Sequence, residues 1–460
     1  MNDRLPPGSE LAGNVDELAS YVAVALTGLT IGAAERGGPL PAGGPDAVAK
    51  AVVAALNGGT PSEALADLAR VVTAGSADPA DPRCAGHLHC PPLAIAVAAD
   101  LVASALNQSL DSWDQAPAST ALEGEVITQL ARMVGYDPAR AGGVITSGGT
   151  ESNLMGLLLA RDHATKPVRV FCSRMAHFSI ARNAGFLGLD PQAVVDIDVD
   201  ESSQLDLDKL AAALDQAGDV SPVVVATAGT TDLGAIDPVD AIADLARERQ
   251  AWLHVDAAYG GGALFSERMA PLLTGIERAD SVSLDLHKLG WQPVPAGVFL
   301  TRDRESFAPL TQRAAYLNPA DDEEAGYPSL LGQSLRTTRR ADAVKIAVTL
   351  RALGRSGLGT LVERCHELAD YAAVRIAEHD SLELAAKPVL TTVVFRYNGS
   401  DTVNAALRRR LLEQGRVVVG RTALGGRTWL KLTLLNPHAR TDDIDAVLDA
   451  VVAAGAEEER

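Results

Sequence analysis

Residues 252–261 read WLHVDAAYGG, an apolar run that ends in a carboxylate, Asp256, shortly before two glycines. A second run, SVSLDLHKL at residues 281–289, likewise has polar residues, His287 and Lys288, near its end. Such runs are typical of strands buried in a parallel sheet, whose carboxyl ends bind ligands. A lysine at such an end is either paired with a carboxylate or desolvated, as a Schiff-base lysine requires. An aspartate there, taken alone, is more often a helix cap or a structural ion pair.

The sequence around these two runs repeats the same pattern. From Gly142 to Thr301, short β-branched runs alternate with segments of helix length. This alternation predicts a mostly parallel sheet with helices on both faces. The seven predicted strands are Val144–Ile145, Val168–Cys172, Val194–Val199, Val223–Ala228, Trp252–Ala257, Ser281–Leu286 and Val298–Thr301.

The whole chain is predicted to have four parts. Residues 1–85 form a helical arm, 86–315 a large domain, 316–340 a long mobile loop with the acidic cluster Asp321–Glu324, and 341–460 a small C-terminal α/β domain. The strands predicted in the small domain are Thr391–Tyr397, Val417–Val419 and Thr428–Leu435. The predicted helices are Asp16–Thr27, Pro45–Leu56, Pro61–Val72, Pro92–Leu106, Thr120–Val134, Glu151–His163, Ala341–Leu353, Leu358–Glu378 and Asp442–Ala453.

The composition argues against several classes of protein. The chain has 460 residues, with 40 Lys and Arg against 59 Asp and Glu, and its formal charge of −19 argues against a nucleic-acid partner. Its first residues lack the pattern of a signal peptide, and no run reaches the roughly 18 uninterrupted apolar residues that span a bilayer. Four scattered cysteines without a C-x-x-C pair predict reduced thiols. We therefore expect a cytoplasmic protein without a membrane partner.

Residues 146–153, TSGGTESN, follow a predicted strand and begin a predicted helix. Gly148 and Gly149 permit close backbone approach, Thr150 offers a hydroxyl, and the free N–H groups at a helix start favour an anion such as phosphate. The segment matches neither G-x-G-x-x-G nor the nucleotide P-loop, which argues against a dinucleotide or nucleoside triphosphate enzyme. Taken alone, it is about as often an ordinary glycine turn before a capped helix.

A phosphate cradle, Asp256 and Lys288 together meet the needs of one cofactor, pyridoxal 5′-phosphate. The lysine amine binds the aldehyde carbon, and the aspartate keeps the pyridine nitrogen protonated, so that the ring accepts electrons released at the substrate Cα. His287 can add a donor to the phosphate. Two further residues follow predicted strands: His177 can stack on the ring, and Thr231 offers a hydroxyl near its 3-position.

The chain resembles the group II pyridoxal-phosphate decarboxylases, which include aromatic amino acid, glutamate and diaminobutyrate decarboxylases. The resemblance runs from about His87 to Pro437 and rests on motifs in the family's order: TSGGTESNL, AHFSI, ATAGTTDLGAIDP, HVDAAYGG and ADSVSLDLHK. Other segments look closest to the diaminobutyrate and lysine decarboxylase branch: LNQSLDSWDQ, AHFSIARNAGFLGL, YLNP, SLRTTRR and WLKLTLLNP.

The resemblance implies an α/β protein of fold type I (aspartate aminotransferase-like), with a large domain built on a seven-stranded, mostly parallel sheet and a small C-terminal α/β domain. It implies a homodimer that residues 1–85 help to hold together. It also implies that the protein decarboxylates a small L-amino acid to the amine and carbon dioxide. A basic substrate such as 2,4-diaminobutyrate, lysine or ornithine is the candidate.

The resemblance further implies roles for single residues. Lys288 binds the cofactor, His177 stacks on its ring and reaches the substrate carboxylate, and Asp256 partners the pyridine nitrogen. A tyrosine on the mobile loop, contributed across the dimer, protonates the substrate carbon, with Tyr327 the first candidate and Tyr316 the second. The positions expected to contact the cofactor are Gly148, Gly149, Thr150, His177, Thr231, Asp256, Ala258, His287 and Lys288.

Other outcomes stay open at this point. The same residues serve aminotransferases and oxidative decarboxylases that form aldehydes, and a non-catalytic scaffold is a third alternative. Gly290 stands in a segment where the branch carries two bulky aromatics, and His89 stands where it carries Asn. We expect Gly290 to open or reshape a pocket wall and His89 to lie at the mouth of the substrate pocket.

Three further clusters have a plainer interpretation. Cys84-x-x-His87-x-His89-Cys90 contains metal-ligand types, but adjacent side chains are poorly placed to converge, and we expect no metal. The run Arg408–Arg410 is expected to be a solvated helix face. Arg339 and Arg340 form a basic pair after the mobile loop, for which a structural ion-pair role and a functional role are equally open.

Overall fold

The structure is a computed structural model that describes residues 7–56, 59–311, 314 and 316–460. The described residues divide into two compact units. The first contains those of Met1–His87, Leu368–Lys387 and Thr392–Arg460, and the second those of Leu88–Glu367 and Pro388–Thr391. The finer divisions at residues 85, 315 and 340 stay predictions.

Regular structure covers most of the described residues. The α helices are α1 Val15–Arg36, α2 Gly44–Ala55, α3 Pro61–Ala74, α4 Ala94–Leu106, α5 Pro117–Val134, α6 Gly149–His163, α7 Ser179–Phe186, α8 Leu207–Asp215, α9 Val239–Glu248, α10 Ala320–Glu324, α11 Ala343–Ala377, α12 Asp401–Glu413 and α13 Thr441–Glu458. The strands are β1 Cys84–Ala85, β2 Gly142–Thr146, β3 Val168–Ser173, β4 Val194–Ile197, β5 Ser221–Thr227, β6 Trp252–Ala257, β7 Ser281–Asp285, β8 Gly297–Thr301, β9 Leu382–Leu384, β10 Thr392–Tyr397, β11 Val418–Leu424 and β12 Arg427–Thr433. Short 3₁₀ helices lie at Trp113–Gln115, Pro191–Ala193, Gly260–Phe265, Ala270–Leu273, Ile276–Arg278, Arg304–Leu310 and Leu331–Gln333.

The second unit is built on a seven-stranded sheet in the order β2-β8-β7-β6-β5-β3-β4. Its neighbours pair in parallel except for β8, which runs antiparallel to β2 and to β7. Every residue of β7 and β8 is buried, because both faces of the sheet are covered. On one face, Leu157 and Ala160 of α6 share a hydrophobic cluster with Val170 and Val223. The prediction of a mostly parallel sheet with seven strands is confirmed.

Glycine sets the end of α1 and the kink in α11. Helix α1 runs past the predicted end at Thr27 to Arg36, and Gly37 ends it with a φ of 68°. The predicted helices Ala341–Leu353 and Leu358–Glu378 correspond to α11, whose kink at Gly354, with φ 64° and ψ −179°, agrees with the predicted break, whereas the end of α1 at Gly37 was not predicted. Sequence periodicity does not reveal the end of α1, because a left-handed glycine stops a helix without changing its apolar pattern.

The first unit contains a five-stranded sheet in the order β1-β11-β12-β10-β9. The prediction of a strand limited to Val417–Val419 is wrong, because β11 continues to a two-residue hairpin with β12. The hairpin residues Gly425 and Gly426 have φ values of 56° and 75°, as a type I′ turn requires. The sequence does not predict β9, which is too short to show alternation, or β1, which comes from a distant part of the chain.

Helix α1 packs closely against α3 within the first unit. Gly28 and Gly32 permit this approach: a Cβ on Gly28 would lie 2.7 Å from Cβ of Ala69, and one on Gly32 would lie 2.3 Å from the carbonyl oxygen of Arg70. The helix also exposes large apolar side chains, Leu26, Leu29 and Ile31. Among the described helices, α1 alone has the length and mean hydropathy, 1.4, of a membrane span, a criterion that core helices of soluble proteins and signal sequences also meet.

The segment 316–340 is more regular than a loop. Pro319 precedes the short helix α10, which contains the acidic cluster Asp321–Glu324. The expectation that this cluster lies in a loop is wrong, because acidic residues stabilise the first turn of a helix even where apolar periodicity is absent. A 3₁₀ turn follows at Leu331–Gln333.

Arg339 and Arg340 form ion pairs that fix the end of this segment. Arg339 Nη1 lies 2.6 Å from Oε1 of Glu123 on α5, and both side chains are only 2% exposed. The same carboxylate accepts the backbone N–H of Ile145 at 3.4 Å. Arg340 pairs with Asp100 and Asp342. The geometry therefore gives both arginines a structural part in the fold.

We predict that Arg339→Met destabilises the second unit by about 3–5 kcal/mol, because it leaves a buried carboxylate without its counter-charge. Arg339→Met combined with Glu123→Gln should recover much of this loss, because the amide is uncharged and still accepts from Ile145. Arg302→Met, which breaks the exposed pair with Asp280, should cost less than about 1 kcal/mol. Urea denaturation followed by near-ultraviolet circular dichroism measures all three, and equal effects from Arg339 and Arg302 would contradict the prediction.

Candidate active site

Neighbouring parallel strands bring Asp256 and Lys288 to one edge of the large sheet. Strands β6 and β7 pair in a register that places Asp256 opposite Ser283. Lys288 follows β7 in a turn, in which its backbone N–H donates a hydrogen bond to the carbonyl of Asp285. Both residues line one cavity of about 300 Å³. All the positions expected to contact the cofactor line this cavity, namely Gly148, Gly149, Thr150, His177, Thr231, Asp256, Ala258, His287 and Lys288.

A glycine turn forms one wall of the cavity. Gly148 has a φ of 152°, and α6 begins at Gly149. A Cβ on Gly148 would lie 3.1 Å from Cε1 of His287, and one on Gly149 would lie 2.8 Å from Cβ of Ala258 and 3.2 Å from Oδ2 of Asp285. Larger residues would therefore narrow the space in front of the helix start, where free N–H groups bind anions.

His287 and Asp285 present a donor and an acceptor beside this turn. Nδ1 of His287 accepts the backbone N–H of Ala296 at 3.2 Å, so the neutral ring carries its hydrogen on Nε2. Burial lowers the pKa of His287, which keeps the ring neutral near pH 7. Oδ2 of Asp285 lies 3.2 Å from the amine of Lys288. Its Oδ1 is buried and has no hydrogen-bond partner among the described residues.

Asp256 is held by two uncharged donors. Its Oδ2 accepts from Nδ2 of Asn153 at 2.7 Å, and its Oδ1 accepts the backbone N–H of Ala258 at 3.1 Å. The side chain is almost completely buried. A buried carboxylate supported in this way gains most from a cationic partner, and a protonated ring nitrogen is such a partner.

His177 lies on the same cavity, just before α7. Its Nδ1 is 2.8 Å from the hydroxyl of Ser179. Burial lowers the pKa of His177, and Lys288 lowers it further, although Asp256 acts in the opposite direction. The imidazole is therefore neutral at physiological pH.

Neither candidate tyrosine lines this cavity. Tyr327 packs edge-on against Trp113, with ring centroids 5.0 Å apart, and Tyr316 is exposed. Both tyrosines line a separate depression that also contains Asp114. Within one chain the structure does not bring a proton donor from this segment to Lys288, so both tyrosine assignments stay predictions that require a second subunit.

Six residues that line the cavity were absent from the predicted site: Ser147, Asn153, Thr227, Gly229, Tyr259 and Asp285. Asn153 stands one helical turn after Gly149, so its side chain falls on the same side of α6. Thr227 ends β5, the strand beside β6, and the rule that ligands bind at the carboxyl ends of parallel strands could have indicated it. Asp285 precedes Lys288 by three residues, within one tight turn.

Gly290 does not open the cavity, so that expectation is wrong. It is absent from the cavity wall, and a Cβ on it would lie 2.6 Å from the carbonyl oxygen of Leu286. The glycine is therefore required by the tight backbone turn that follows Lys288. His89 is exposed and lies near enough to His287 to contribute to the lowered pKa of that ring, but it does not line the cavity.

One carboxylate connects the segment after Tyr327 with the glycine turn. Oε1 of Glu151 lies 2.9 Å from Nε of Arg336, and Oε2 accepts the backbone N–H of Ser147 at 2.7 Å. The position of residues 334–336 is thereby tied to that of the anion cradle.

The donor set of the cavity fits pyridoxal 5′-phosphate. The glycine turn, the start of α6 and Nε2–H of His287 suit its phosphate, Asp256 suits its ring nitrogen, and the amine of Lys288 suits its aldehyde. When bound, the cofactor supplies an electron sink for the pair released at the substrate Cα. The two carboxylates would have different roles. Asp256 would partner the ring nitrogen, whereas Asp285 lies beside the amine of Lys288.

Comparisons with known proteins point to the same chemistry. Residues 57–398 match the model of the pyridoxal-dependent decarboxylase conserved domain. The chain is 44% identical to L-2,4-diaminobutyrate decarboxylase of Rhizobium meliloti (strain 1021), over 84% of this chain and 81% of that protein. It is 38% identical to L-2,4-diaminobutyrate decarboxylase of Acinetobacter baumannii, over 81% of this chain and 79% of that protein.

A solved structure shows the same fold. It is the glutamate decarboxylase domain of diaminobutyrate-pyruvate transaminase and L-2,4-diaminobutyrate decarboxylase from Vibrio parahaemolyticus. The superposition has a TM-score of 0.86 at 33% identity and covers 96% of each chain. The expected fold type I architecture is thereby confirmed.

We predict that Gly149→Ala weakens cofactor binding about 10- to 100-fold, because the added methyl group occupies the cradle and meets Ala258 and Asp285. Gly124→Ala on α5 is the control, because a Cβ there has no neighbour within 4 Å in the described structure. Absorbance titration of the cofactor-free protein measures both dissociation constants. An unchanged constant for Gly149→Ala would contradict the assignment of the cradle.

Proposed function

The chain belongs to the pyridoxal-dependent decarboxylase family and is a pyridoxal 5′-phosphate-dependent carboxy-lyase of an amino acid, and from this premise we propose that its substrate is L-2,4-diaminobutyrate. The observation that carries the proposal is the 44% identity to a diaminobutyrate decarboxylase over most of both chains. The products would be 1,3-diaminopropane and carbon dioxide. The charge of −19 agrees with a cationic substrate but supports it weakly, because solubility also explains it.

The residues of the cavity would divide the work as follows. Lys288 would hold the cofactor through its amine, which suits the cofactor's aldehyde. Asp256 keeps the ring nitrogen protonated, and its two neutral donors hold the carboxylate in place. His177, neutral and adjacent to Asp256, stacks on the ring and reaches the substrate carboxylate. Decarboxylation requires that carboxylate to lie out of the ring plane, away from water.

We also propose that the active enzyme is a homodimer. Tyr327 and Tyr316 lie outside the cavity of their own chain, so a proton donor from this segment must come from a second copy. Helix α1 offers an apolar surface for the partner, because Leu26, Leu29 and Ile31 are exposed. Burial of this surface between subunits would supply the hydrophobic stabilisation that a single chain lacks.

We propose a cytoplasmic location without nucleic-acid or membrane partners. The four cysteines are free thiols, which agrees with a reducing compartment, and the negative charge disfavours nucleic acid. On this proposal α1 contacts a second subunit rather than lipid. Recovery of the protein in the membrane fraction of lysed cells would contradict it.

We predict that purified protein releases amine and carbon dioxide from L-2,4-diaminobutyrate with a higher kcat/KM than from ornithine or lysine. Each added methylene group in the substrate should lower kcat/KM about 10- to 200-fold. Lys288→Ala should lose both the reaction and the visible absorption of the lysine-bound cofactor. Liquid chromatography of the products, with assays for aldehyde, ammonia and peroxide, separates simple from oxidative decarboxylation. Preference for glutamate or an aromatic amino acid would contradict the proposed substrate.

A second prediction tests the shared site. Lys288→Ala and Tyr327→Phe should each be inactive alone. After subunit exchange in an equal mixture, about a quarter of wild-type activity should return, because half of the dimers then contain one site with both residues intact. Mixing Lys288→Ala with Asp256→Ala, which disable the same chain's cavity, is the control and should restore nothing. Absence of recovery with Tyr327→Phe would contradict its role as the donor across the dimer.

A further inference from the structure

The amide of Asn153 uses all its hydrogen-bonding positions on buried partners. Nδ2 lies 2.7 Å from Oδ2 of Asp256 and 3.1 Å from the hydroxyl of Ser179. Oδ1 accepts from the hydroxyl of Ser283 and lies 3.0 Å from Nε2 of His254. Asn153 itself is 1% exposed. The side chain therefore joins Asp256, beneath the expected ring nitrogen, to a second branch that leads to His177.

The orientation of this amide is fixed by the carboxylate of Asp256. The carboxylate of Asp256 only accepts, so the nitrogen of Asn153 must face it. On the far side, the indole of Trp252 only donates, and its Nε1–H meets the hydroxyl of Ser281 at 3.1 Å. That hydroxyl lies 2.8 Å from Nδ1 of His254.

His254 lies between Ser281 and Asn153. Burial lowers the pKa of His254 to about 4, so the ring is neutral. Its Nε2 lies 3.0 Å from both Oδ1 of Asn153 and the hydroxyl of Ser283, and its Nδ1 lies 2.8 Å from the hydroxyl of Ser281. Space for the ring depends on Gly156, where a Cβ would lie 2.6 Å from Nδ1 of His254.

The other branch fixes the hydrogen of His177. Ser179 accepts from Asn153, so its single hydroxyl hydrogen is available for Nδ1 of His177, 2.8 Å away. The backbone N–H of Ser179 also points to that Nδ1, at 3.3 Å. With donors on two sides, Nδ1 carries no hydrogen. The neutral imidazole therefore holds its hydrogen on Nε2.

We propose that Asn153 is a positioning residue that holds Asp256 and His177 in one polarised hydrogen-bond network, and that this network fixes His177 as the Nε2–H tautomer. His177 then offers the cavity a hydrogen-bond donor and not a base. Resting on the proposed function, this donor would meet a carboxylate oxygen of the amino acid and hold that group in the orientation from which carbon dioxide leaves. The direction of the donor would be set by Asp256, which orients the amide of Asn153 so that its nitrogen also donates to Ser179.

Nitrogen-15 NMR of protein labelled at histidine tests the tautomer directly, because it distinguishes a ring nitrogen that carries hydrogen from one that does not. Spectra of the full chain are recorded with and without cofactor, and the His177 signals are assigned by their loss in His177→Gln. Wild type should show hydrogen on Nε2 of His177. Ser179→Ala should shift part of the population toward Nδ1–H, because only the backbone N–H donor, at 3.3 Å, then remains at Nδ1. Ser173→Ala, which removes a buried hydroxyl that accepts only from the neighbouring Met175 N–H in this turn, should not.

Kinetics provide the second readout. Ser179→Ala should lower kcat about 10- to 100-fold with the cofactor affinity unchanged, because it breaks only the His177 branch. Asn153→Leu should lower kcat and also weaken cofactor binding, because Asp256 loses a buried donor. Should Asn153→Leu fail to fold, Ser179→Ala alone decides.

The two proposals fail separately. Hydrogen on Nδ1 of wild-type His177, or an unchanged tautomer in Ser179→Ala, would overturn the network inference whatever the substrate. Failure to release carbon dioxide from any amino acid would overturn the proposed function, while the tautomer, which is read without substrate, would stand.

Discussion

The parallel pairing of β6 with β7 is the constraint on which the active site depends. Its register sets Asp256 opposite Ser283 and lets the following turn return Lys288 to the same cavity. A slip of one residue would turn the side chains of either strand to the other face of the sheet. Because every residue of β7 is buried, the packing of both faces enforces this register. The glycine turn before α6 then needs only to lie at the same sheet edge to complete an anion site beside the two charged groups.

The sequence predicted those parts of the site that depend on strand ends. Asp256, Lys288 and His177 each lie at or just after the end of a buried run, and buried strands can be recognised because small and apolar residues dominate both faces. What it did not predict depends on contacts between distant segments. The role of Asn153 depends on hydrogen-bond partners on α7, β6 and β7. The backbone around Gly290 leaves no room for a Cβ, and this crowding depends on the folded turn. Likewise, α10 and β9 are too short for any period to show.

Charged side chains face the cavity, and uncharged polar side chains lie behind Asp256. The groups that face the cavity include carboxylates and an amine, whereas the layer behind Asp256 consists of an amide, hydroxyls, a neutral imidazole and an indole. Neutral donors orient a buried carboxylate without cancelling its charge, so Asp256 keeps its attraction for a cationic ring nitrogen. Tyr327 packs on Trp113, outside the cavity, so the proposed proton donor requires the proposed second subunit.

The covalent attachment of the cofactor to Lys288 is the claim on which the assignment of the cavity rests. Reduction of the cofactor-loaded protein with borohydride, followed by proteolysis and mass spectrometry, measures it directly, because reduction makes the linkage permanent. The pyridoxyl mass should appear on the peptide that contains Lys288 and on no other. Its appearance on a different lysine, such as the fully buried Lys345, or its absence from every peptide, would contradict the account.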